Sequence, residues 1–219
     1  MELNTYIEQS LLASDATERD IMQVCEEAKN NNFHAVCVNS CYVPIAYQIL
    51  KKSNVKVCSV VGFPLGAMST EAKVFEAKTA IEQGATEIDM VMNIGFLKSK
   101  NHVAVLRDIT EVKKAIGHIP LKVIIEICDL SKNEIVKACE ICLDGKADFV
   151  KTSTGFSEGG ATQTAVKIIK KTLKDRAKIK ASGGIGDAET AHKYIDLGVS
   201  RIGTSRGLDI LNEDVQPVF

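Results

Sequence analysis

The chain has 219 residues, of which 45% are hydrophobic and 25% charged, and its 27 basic and 28 acidic residues give a formal net charge of -1. A near-neutral balance with scattered Lys and Arg argues against a nucleic-acid partner and against a membrane-surface patch. Residues 1–10 contain no apolar leader and no apolar run approaches the roughly 20 residues of a spanning helix, so we expect a cytoplasmic protein that does not bind a membrane.

Apolar runs rich in Val and Ile alternate with longer stretches of helical periodicity, and no low-complexity linker separates them. The pattern predicts strands at residues 6–9, 35–39, 55–61, 87–92, 121–127, 147–151, 178–181 and 200–203. It predicts helices at residues 17–31, 43–52, 69–83, 100–116, 131–144, 161–173, 187–197 and 205–212. Eight βα units whose strands are apolar on both faces predict an α/β protein, a (β/α)8 TIM barrel that forms a single domain over residues 1–219.

Charged side chains recur at inward-facing positions near the carboxyl ends of these strands. Because side chains alternate along a strand, Ile88 and Met90 should face the helices and Asp89 the barrel interior. The same parity directs Lys151 and Lys180 inward. It also directs two further residues inward, Cys37 and Glu126. Barrel enzymes carry their active sites at the carboxyl ends of the strands, so Asp89, Lys151 and Lys180 are the candidate catalytic residues.

Two inward lysines on consecutive strands call for a chemical explanation. Desolvation and a neighbouring cation both favour the neutral amine, which is the form that attacks a carbonyl. A neutral Lys151 would form a Schiff base, an electron sink for breaking or making the adjacent carbon–carbon bond, and Asp89 would accept and return the proton. The alternative is that Asp89 and one lysine form an ion pair that only fills the barrel mouth.

Three loops that follow consecutive strands have the composition of a phosphate site. Glycines let backbone amides approach an anion, hydroxyl groups add donors, and a helix N-terminus near Ser205 would complete the site. The loops at residues 152–155, 182–184 and 203–205 contribute Thr154, Gly155, Gly183, Gly184, Thr204 and Ser205. Their position beside a candidate amine favours a phosphorylated substrate over the ion-pair alternative.

Five stretches of the chain resemble the deoxyribose-phosphate aldolase family, and the resemblance extends over nearly the whole sequence. They are VGFPLGA at 61–67, EIDMV at 87–91, KVIIE at 122–126, FVKTSTGF at 149–156 and KIKASGGI at 178–185. The resemblance implies that Lys151 forms the Schiff base, that Lys180 favours the neutral form of that amine, and that Asp89 is the acid/base. It also implies a group of residues around the substrate phosphate, namely Gly155, Gly183, Gly184, Thr204 and Ser205.

Members of that family reversibly cleave 2-deoxy-D-ribose 5-phosphate to D-glyceraldehyde 3-phosphate and acetaldehyde, in deoxyribonucleoside catabolism. The resemblance therefore implies a class I lyase that acts on a phosphosugar and uses no metal or organic cofactor. Family members are often dimers, and the sequence leaves the choice between monomer and homodimer open. The cysteine that matches Cys37 lies close to the substrate aldehyde in that family, although a small core side chain is the alternative here.

The chain departs from the family at three places. Where the family usually has Asp-His-Thr-Leu-Leu, residues 8–12 are EQSLL, which keeps a carboxylate at Glu8 and a hydroxyl at Ser10. We assign both to the substrate site and expect Glu8 to serve a proton-relay water network less well than Asp. Ser40 replaces a common Pro and loosens a loop beside the site. The tail at 213–219 lacks the terminal Tyr that several members use in proton transfer, so slower turnover with intact covalent chemistry is expected.

Two other functions remain open from the sequence. One is a related lysine-dependent aldolase or transaldolase-like barrel that accepts a different phosphosugar. The other is a barrel that binds a phosphorylated sugar without turning it over, which the altered stretch at 8–10 motivates. The retention of Asp89, Lys151 and Lys180 argues against it, because a barrel released from catalysis has no physical reason to keep two desolvated lysines.

Metal and redox chemistry are not expected from the sequence. The seven cysteines are predicted to be reduced and mostly buried. The four histidines, His34, His102, His118 and His192, are predicted to lie at the surface without ligand spacing. No three-ligand set is evident, which argues against the zinc-dependent route to aldol cleavage.

Overall fold

Eight parallel strands close into a barrel in the chain order β1 to β8, in a computed structural model that describes residues 2–214. The strands are β1 (Ile7–Leu11), β2 (Ala35–Val38), β3 (Lys56–Val61), β4 (Glu87–Val91), β5 (Leu121–Ile124), β6 (Phe149–Lys151), β7 (Lys178–Ser182) and β8 (Arg201–Thr204). β1 pairs with both β2 and β8, which closes the ring. The predicted (β/α)8 barrel is confirmed.

Nine helices within residues 2–214 surround the strands. They are α1 (Glu18–Asn30), α2 (Val43–Leu50), α3 (Thr70–Glu82), α4 (Ile94–Lys98), α5 (His102–Ile116), α6 (Lys132–Asp144), α7 (Gln163–Leu173), α8 (Ala188–Asp196) and α9 (Gly207–Asp214). In this part of the chain no helix is long and apolar enough to span a membrane. The expectation about the tail concerns residues 213–219, of which 215–219 lie outside the described residues.

Every predicted strand and helix overlaps an observed one, and the differences lie at ends and turns. The predicted strand at 121–127 is too long, because β5 ends at Ile124 and Glu126 adopts a left-handed φ of 47°. A 3-10 turn over Ile127–Asp129 follows directly. The short helix α4 was not predicted, because its five residues are fewer than two helical turns and give little periodicity.

Side-chain caps explain where several helices begin. At the start of α6, Ser131 Oγ accepts a hydrogen bond from the Glu134 amide, and the Glu134 carboxylate accepts one from the Ser131 amide at 2.8 Å. Ser69 Oγ caps α3 by accepting from the Ala72 amide. These bonds satisfy amides that have no partner within the first helical turn.

The barrel separates an apolar outer layer from a charged interior. As predicted, Ile88 and Met90 are fully buried in the core between strands and helices. The inward side chains of neighbouring strands stand in register: Asp89 on β4 is opposite Lys122 on β5, and Lys151 on β6 is opposite Lys180 on β7. This register brings charges from non-adjacent parts of the chain together on the barrel axis.

Candidate active site

Three buried ammonium groups and three buried carboxylates form ion pairs with one another inside the barrel. The group, which we call the interior charge cluster, consists of Lys122, Lys151, Lys180, Glu8, Glu87 and Asp89. Burying a charge is costly unless an opposite charge and hydrogen bonds accompany it. Three cations and three anions can satisfy one another here, so the cluster can stay ionised away from water.

Asp89 lies at the centre of this cluster. Its Oδ2 accepts hydrogen bonds from Lys151 Nζ at 2.9 Å and from Lys180 Nζ at 2.8 Å, and its Oδ1 lies 2.9 Å from Lys122 Nζ. Burial alone would raise the pKa of Asp89, but the ammonium groups of Lys122, Lys151 and Lys180 outweigh burial and hold that pKa well below its ordinary value. Asp89 is therefore an anion at neutral pH, held by both lysines that the sequence singled out.

Lys180 is held in its charged form. Its Nζ donates to Glu8 Oε2 as well as to Asp89 Oδ2. Burial on its own lowers the pKa of Lys180, but the carboxylates of Asp89 and Glu8 dominate and raise it above its ordinary value. The expectation that desolvation favours the neutral amine for both lysines is therefore wrong for Lys180, because the two carboxylates repay the cost of burying its charge.

Lys151 differs from the other members of the cluster by its access to a cavity of about 420 Å³ at the carboxyl ends of the strands. Of the six charged residues in the cluster, Lys151 alone lines this cavity. Its side chain is only 2% exposed. The amine thus lies where a ligand in the cavity can reach it, with Asp89 behind it.

Most of the predicted substrate residues line the same cavity. The predicted residues that do so are Ser10, Thr154, Gly155, Gly183, Gly184, Thr204 and Ser205. Gly155 and Gly184 have φ of 87° and 76°, in the left-handed region, and a Cβ at either position would meet nothing within 4 Å. Their backbones therefore present an open face, which suits close approach of a ligand.

The predicted hydroxyl groups of Thr154 and Thr204 shape the loops. Thr154 Oγ1 donates to the Glu126 carboxylate, which also accepts from Ser157 Oγ at 3.0 Å. Thr204 Oγ1 donates to the Ile185 carbonyl at 2.6 Å and so ties the loop after β8 to the loop after β7. These bonds hold the rim of the cavity in one shape.

Residues 5–213 match the DeoC/LacD family of aldolases. The chain belongs to this family. A deoxyribose-phosphate aldolase of Finegoldia magna is 55% identical to this aldolase over 211 residues, which cover 96% of this chain and 99% of that protein. The resemblance to the deoxyribose-phosphate aldolase family that the five stretches indicated is confirmed.

Two solved structures extend this similarity to the fold. One, described as QR15, an aldolase, has a TM-score of 0.95 at 41% identity and covers 98% of this chain and 96% of its own. The other, a deoxyribose phosphate aldolase from Aeropyrum pernix described as having a unique tetrameric structure, has a TM-score of 0.89 at 32% identity. That match covers 96% of this chain and 89% of the other.

Two residues assigned to the substrate site lie deeper in the barrel of this aldolase. Glu8 and Cys37 are fully buried and do not line the cavity. Cys37 points inward as predicted, but it packs beside Cys58 with its Sγ 3.9 Å from Asp89 Oδ2. Glu8 lies two residues before Ser10 on β1 and is therefore further from the carboxyl end of the strand. Cys37 pairs in register with Ser10, but its buried thiol faces Cys58 and Asp89 rather than the cavity. Glu8 acts on Lys180 rather than on the cavity.

Sequence reasoning missed Lys122. This lysine is fully buried, and its Nζ lies 2.5 Å from Glu87 Oε2 and 3.4 Å from Glu8 Oε2. Burial alone lowers the pKa of Lys122, but Asp89, with the other acidic groups around it, raises that pKa well above its ordinary value. The alternation of side chains along β5 could have identified Lys122 as an inward-facing residue. It was missed because only charged residues near the carboxyl ends of the strands were considered as site residues.

The expectation that no three-ligand set exists is wrong. Two sets of three potential metal ligands come together in the described residues: Cys37, Cys58 and Asp89, and Glu8, His34 and Glu87. His34 is half-buried and lies 3.1 Å from Glu87, so it is not a surface residue as predicted. Lys122 Nζ lies among the donors of both sets and supplies positive charge where a cation would bind.

Proposed function

We propose that this chain catalyses the reversible cleavage of 2-deoxy-D-ribose 5-phosphate to D-glyceraldehyde 3-phosphate and acetaldehyde, in deoxyribonucleoside catabolism, through a Schiff base on Lys151. The observation that carries the proposal is the position of Lys151, which lines the cavity and whose Nζ lies 2.9 Å from Asp89 Oδ2. The names of the relatives support the substrate, and the glycine-rich rim of the cavity supports a phosphorylated one.

The first step forms the covalent link. Lys151 passes its proton to Asp89, which accepts its hydrogen bond, and the neutral amine attacks C1 of the open-chain sugar. The former carbonyl oxygen takes one proton from the attacking nitrogen and the other back from Asp89, and it leaves as water. The product is a protonated imine, with Asp89 again an anion. Lys180 stays an ammonium throughout, since Glu8 and Asp89 hold its charge. A fixed cation beside Lys151 favours the neutral form of the attacking amine.

The second step breaks the carbon–carbon bond. A base removes the proton from the C3 hydroxyl, the C2–C3 bond cleaves, and its electron pair moves into the imine to form an enamine. The fragment from C3 to C5 leaves as glyceraldehyde 3-phosphate. We assign the base role to Asp89, directly or through water, because the positive charge on the imine nitrogen is neutralised as the C2–C3 electron pair moves into it, which makes Asp89 a better proton acceptor.

The last step returns the proton. Asp89 delivers it to C2 of the enamine, and water then hydrolyses the protonated imine, which releases acetaldehyde and restores the Lys151 ammonium. The cycle leaves no net change in protons, which suits a closed cluster of equal positive and negative charge. We further propose that the loops carrying Gly155, Gly183, Gly184 and Ser205 hold the phosphate at the far end of the cavity.

Reductive trapping tests the proposal. The protein is incubated with acetaldehyde or with 2-deoxyribose 5-phosphate and borohydride, and its peptides are mapped by mass spectrometry. The expected result is a reduced adduct on Lys151, with adduct and aldolase activity both abolished in Lys151→Ala. Lys178→Ala is the matched control, because Lys178 is an exposed lysine on the neighbouring strand β7 and does not line the cavity. A folded protein that binds the sugar phosphate but gives no adduct would contradict the proposal.

We also propose that the aldolase acts as a homodimer. Three exposed large apolar side chains support this: Leu65 is 78% exposed, Phe75 on α3 is 73% exposed and Val103 on α5 is 80% exposed. The helices α3 and α5 pack against each other, so Phe75 and Val103 are on adjacent helices. Light scattering tests the proposal, with a dimer expected for the wild type and a monomer for Phe75→Glu.

A further inference from the structure

The cavity is lined by two cationic side chains, Lys151 and Arg206, and none of the described residues that line it carries a carboxylate. Lys151 belongs to the end of β6, and Arg206 lies in the loop between β8 and α9. Under the proposed function Lys151 is committed to the sugar aldehyde. Arg206 is then the charged side chain left to meet the opposite end of the substrate.

The side chain of Arg206 packs over Gly186, and Gly186 belongs to the loop after β7. A Cβ built on Gly186 would come within 2.6 Å of Arg206 Nη1 and 3.1 Å of its Cζ. The guanidinium therefore occupies the space that a side chain at position 186 would take. The backbone at Gly186 does not have a positive φ, so the glycine is needed for room rather than for backbone conformation.

Two contacts position the arginine without using its terminal nitrogens. The Arg206 amide donates to Thr204 Oγ1 at 2.9 Å, and Nε donates to Asp209 Oδ2 at 2.8 Å. Among the described residues no hydrogen-bond acceptor is bound to the two Nη groups. Asp209 therefore orients the guanidinium through Nε, and the two Nη groups remain available as hydrogen-bond donors.

We infer that Arg206 binds the phosphate of the substrate and sets the preference of this aldolase for phosphorylated over unphosphorylated sugars. The inference rests on the proposed function and deepens it. A phosphate monoester carries about 1.5 to 2 negative charges at neutral pH, and guanidinium donors match its oxygens in a bidentate arrangement. Backbone amides alone would bind the phosphate oxygens but would leave this charge without a full positive partner.

The test compares kcat/KM for 2-deoxyribose 5-phosphate and for 2-deoxyribose in the wild type, Arg206→Gln and Gly186→Val. Arg206→Gln is expected to lower kcat/KM for the phosphorylated sugar about 10- to 100-fold, mainly through KM, and to leave the unphosphorylated sugar unchanged. Gly186→Val should act in the same direction, because its side chain displaces the guanidinium without removing the charge. Arg176→Gln is the control, since Arg176 is exposed and does not line this cavity.

The outcomes separate this inference from the proposed function. A wild type that cleaves the sugar phosphate and an Arg206→Gln variant with the same preference for it would overturn the role of Arg206 and leave the reaction standing. If the wild type cleaves neither sugar, calorimetric titration with glyceraldehyde 3-phosphate decides: weaker binding to Arg206→Gln than to Arg176→Gln supports the inference, and equal binding overturns it. An unchanged acetaldehyde adduct on Lys151 in Arg206→Gln shows that the variant still forms the Schiff base.

Discussion

Lys122 and Asp89 face each other at registered positions of β5 and β4, and Lys122 Nζ lies 2.9 Å from Asp89 Oδ1. The two oxygens of the Asp89 carboxylate therefore bind different lysines. Oδ1 accepts a hydrogen bond from Lys122, which does not line the cavity, and Oδ2 accepts hydrogen bonds from Lys151 and Lys180. The orientation of Asp89 toward the two amines therefore depends on a third lysine.

Removing Lys122 should cost much of the stability of the barrel. Lys122→Met leaves Asp89, Glu87 and Glu8 short of one buried positive charge, and breaking such a pair costs about 3–5 kcal/mol. The double variant Lys122→Met/Glu87→Gln restores the balance of charge and should recover about 1–3 kcal/mol of that loss. Urea unfolding of the wild type, both single variants and the double variant measures the cycle. Strictly additive effects would show that the two residues do not act as a pair.

Glu87 should make the folded state sensitive to acid. Burial alone would raise the pKa of Glu87, but Lys122 and His34 overcome it and lower the pKa to about 2. Because the folded pKa lies below the unfolded one, this carboxylate stabilises the fold above about pH 4.5, and the contribution is lost as the pH falls toward 2. The shift corresponds to about 3 kcal/mol. Unfolding free energies from pH 7 to pH 2 should fall more steeply in the wild type than in Glu87→Gln, and parallel curves would refute the assignment.

The fold could be predicted from the sequence because its signal is local and repeated. Alternating apolar runs and helical periodicity specify eight βα units, and strand parity correctly turns Asp89, Lys151 and Lys180 inward. The charge states could not be predicted in the same way. They depend on which side chains meet across the barrel, and Lys122 on β5 and Glu8 on β1 reach the cluster only through the closed ring.

The details of the cavity rim also escaped the sequence. Loop composition identified Gly155 and Gly184, whose conformations are intrinsic to glycine. It did not identify Arg206 as a residue of the cavity, because its position depends on the missing side chain at Gly186, which belongs to another loop. Cys37 was placed at the substrate by the family resemblance, and its inward parity gives the direction of the side chain but not its depth along the barrel axis.

Lys180 should control the pH dependence of catalysis. Lys180→Leu removes the fixed cation that shares Asp89 Oδ2 with Lys151, so protonated Lys151 becomes more favourable. We expect kcat to fall by about 10²–10⁴-fold and the acidic limb of the kcat/KM profile to move to higher pH. Glu8→Gln should reduce kcat less, because Asp89 still holds Lys180. A Lys180→Leu enzyme with an unaltered pH profile would refute the role given to this lysine.

Gln9 should position the loop between β8 and α9. Its side chain is buried, its Oε1 accepts from the Gly207 amide at 2.8 Å, and its Nε2 donates to the Ser205 carbonyl at 3.3 Å. Gln9→Leu leaves both groups without this partner, at a cost of about 1–3 kcal/mol for a buried amide. KM for the sugar phosphate should rise while the borohydride adduct on Lys151 still forms. Gln23→Leu, on the exposed face of α1, is the matched control. A KM equal to that of the control would show that Gln9 does not position this loop for substrate binding.

The accessibility of the thiols gives an independent check of the packing. Two of the seven cysteines, Cys41 and Cys128, are exposed and the other five are buried. A thiol reagent should therefore titrate two groups in the native protein and seven after unfolding. Partial burial and the nearby carboxylates of Glu126 and Asp129 raise the pKa of Cys128, so less of it is in the reactive thiolate form. The Cys128 adduct should accumulate at a rate that increases with pH. Cys41→Ser should leave the rate of Cys128 modification unchanged. A third group that reacts in the native protein would mean that the barrel interior, where Cys37 and Cys58 pack beside Asp89, opens to solvent.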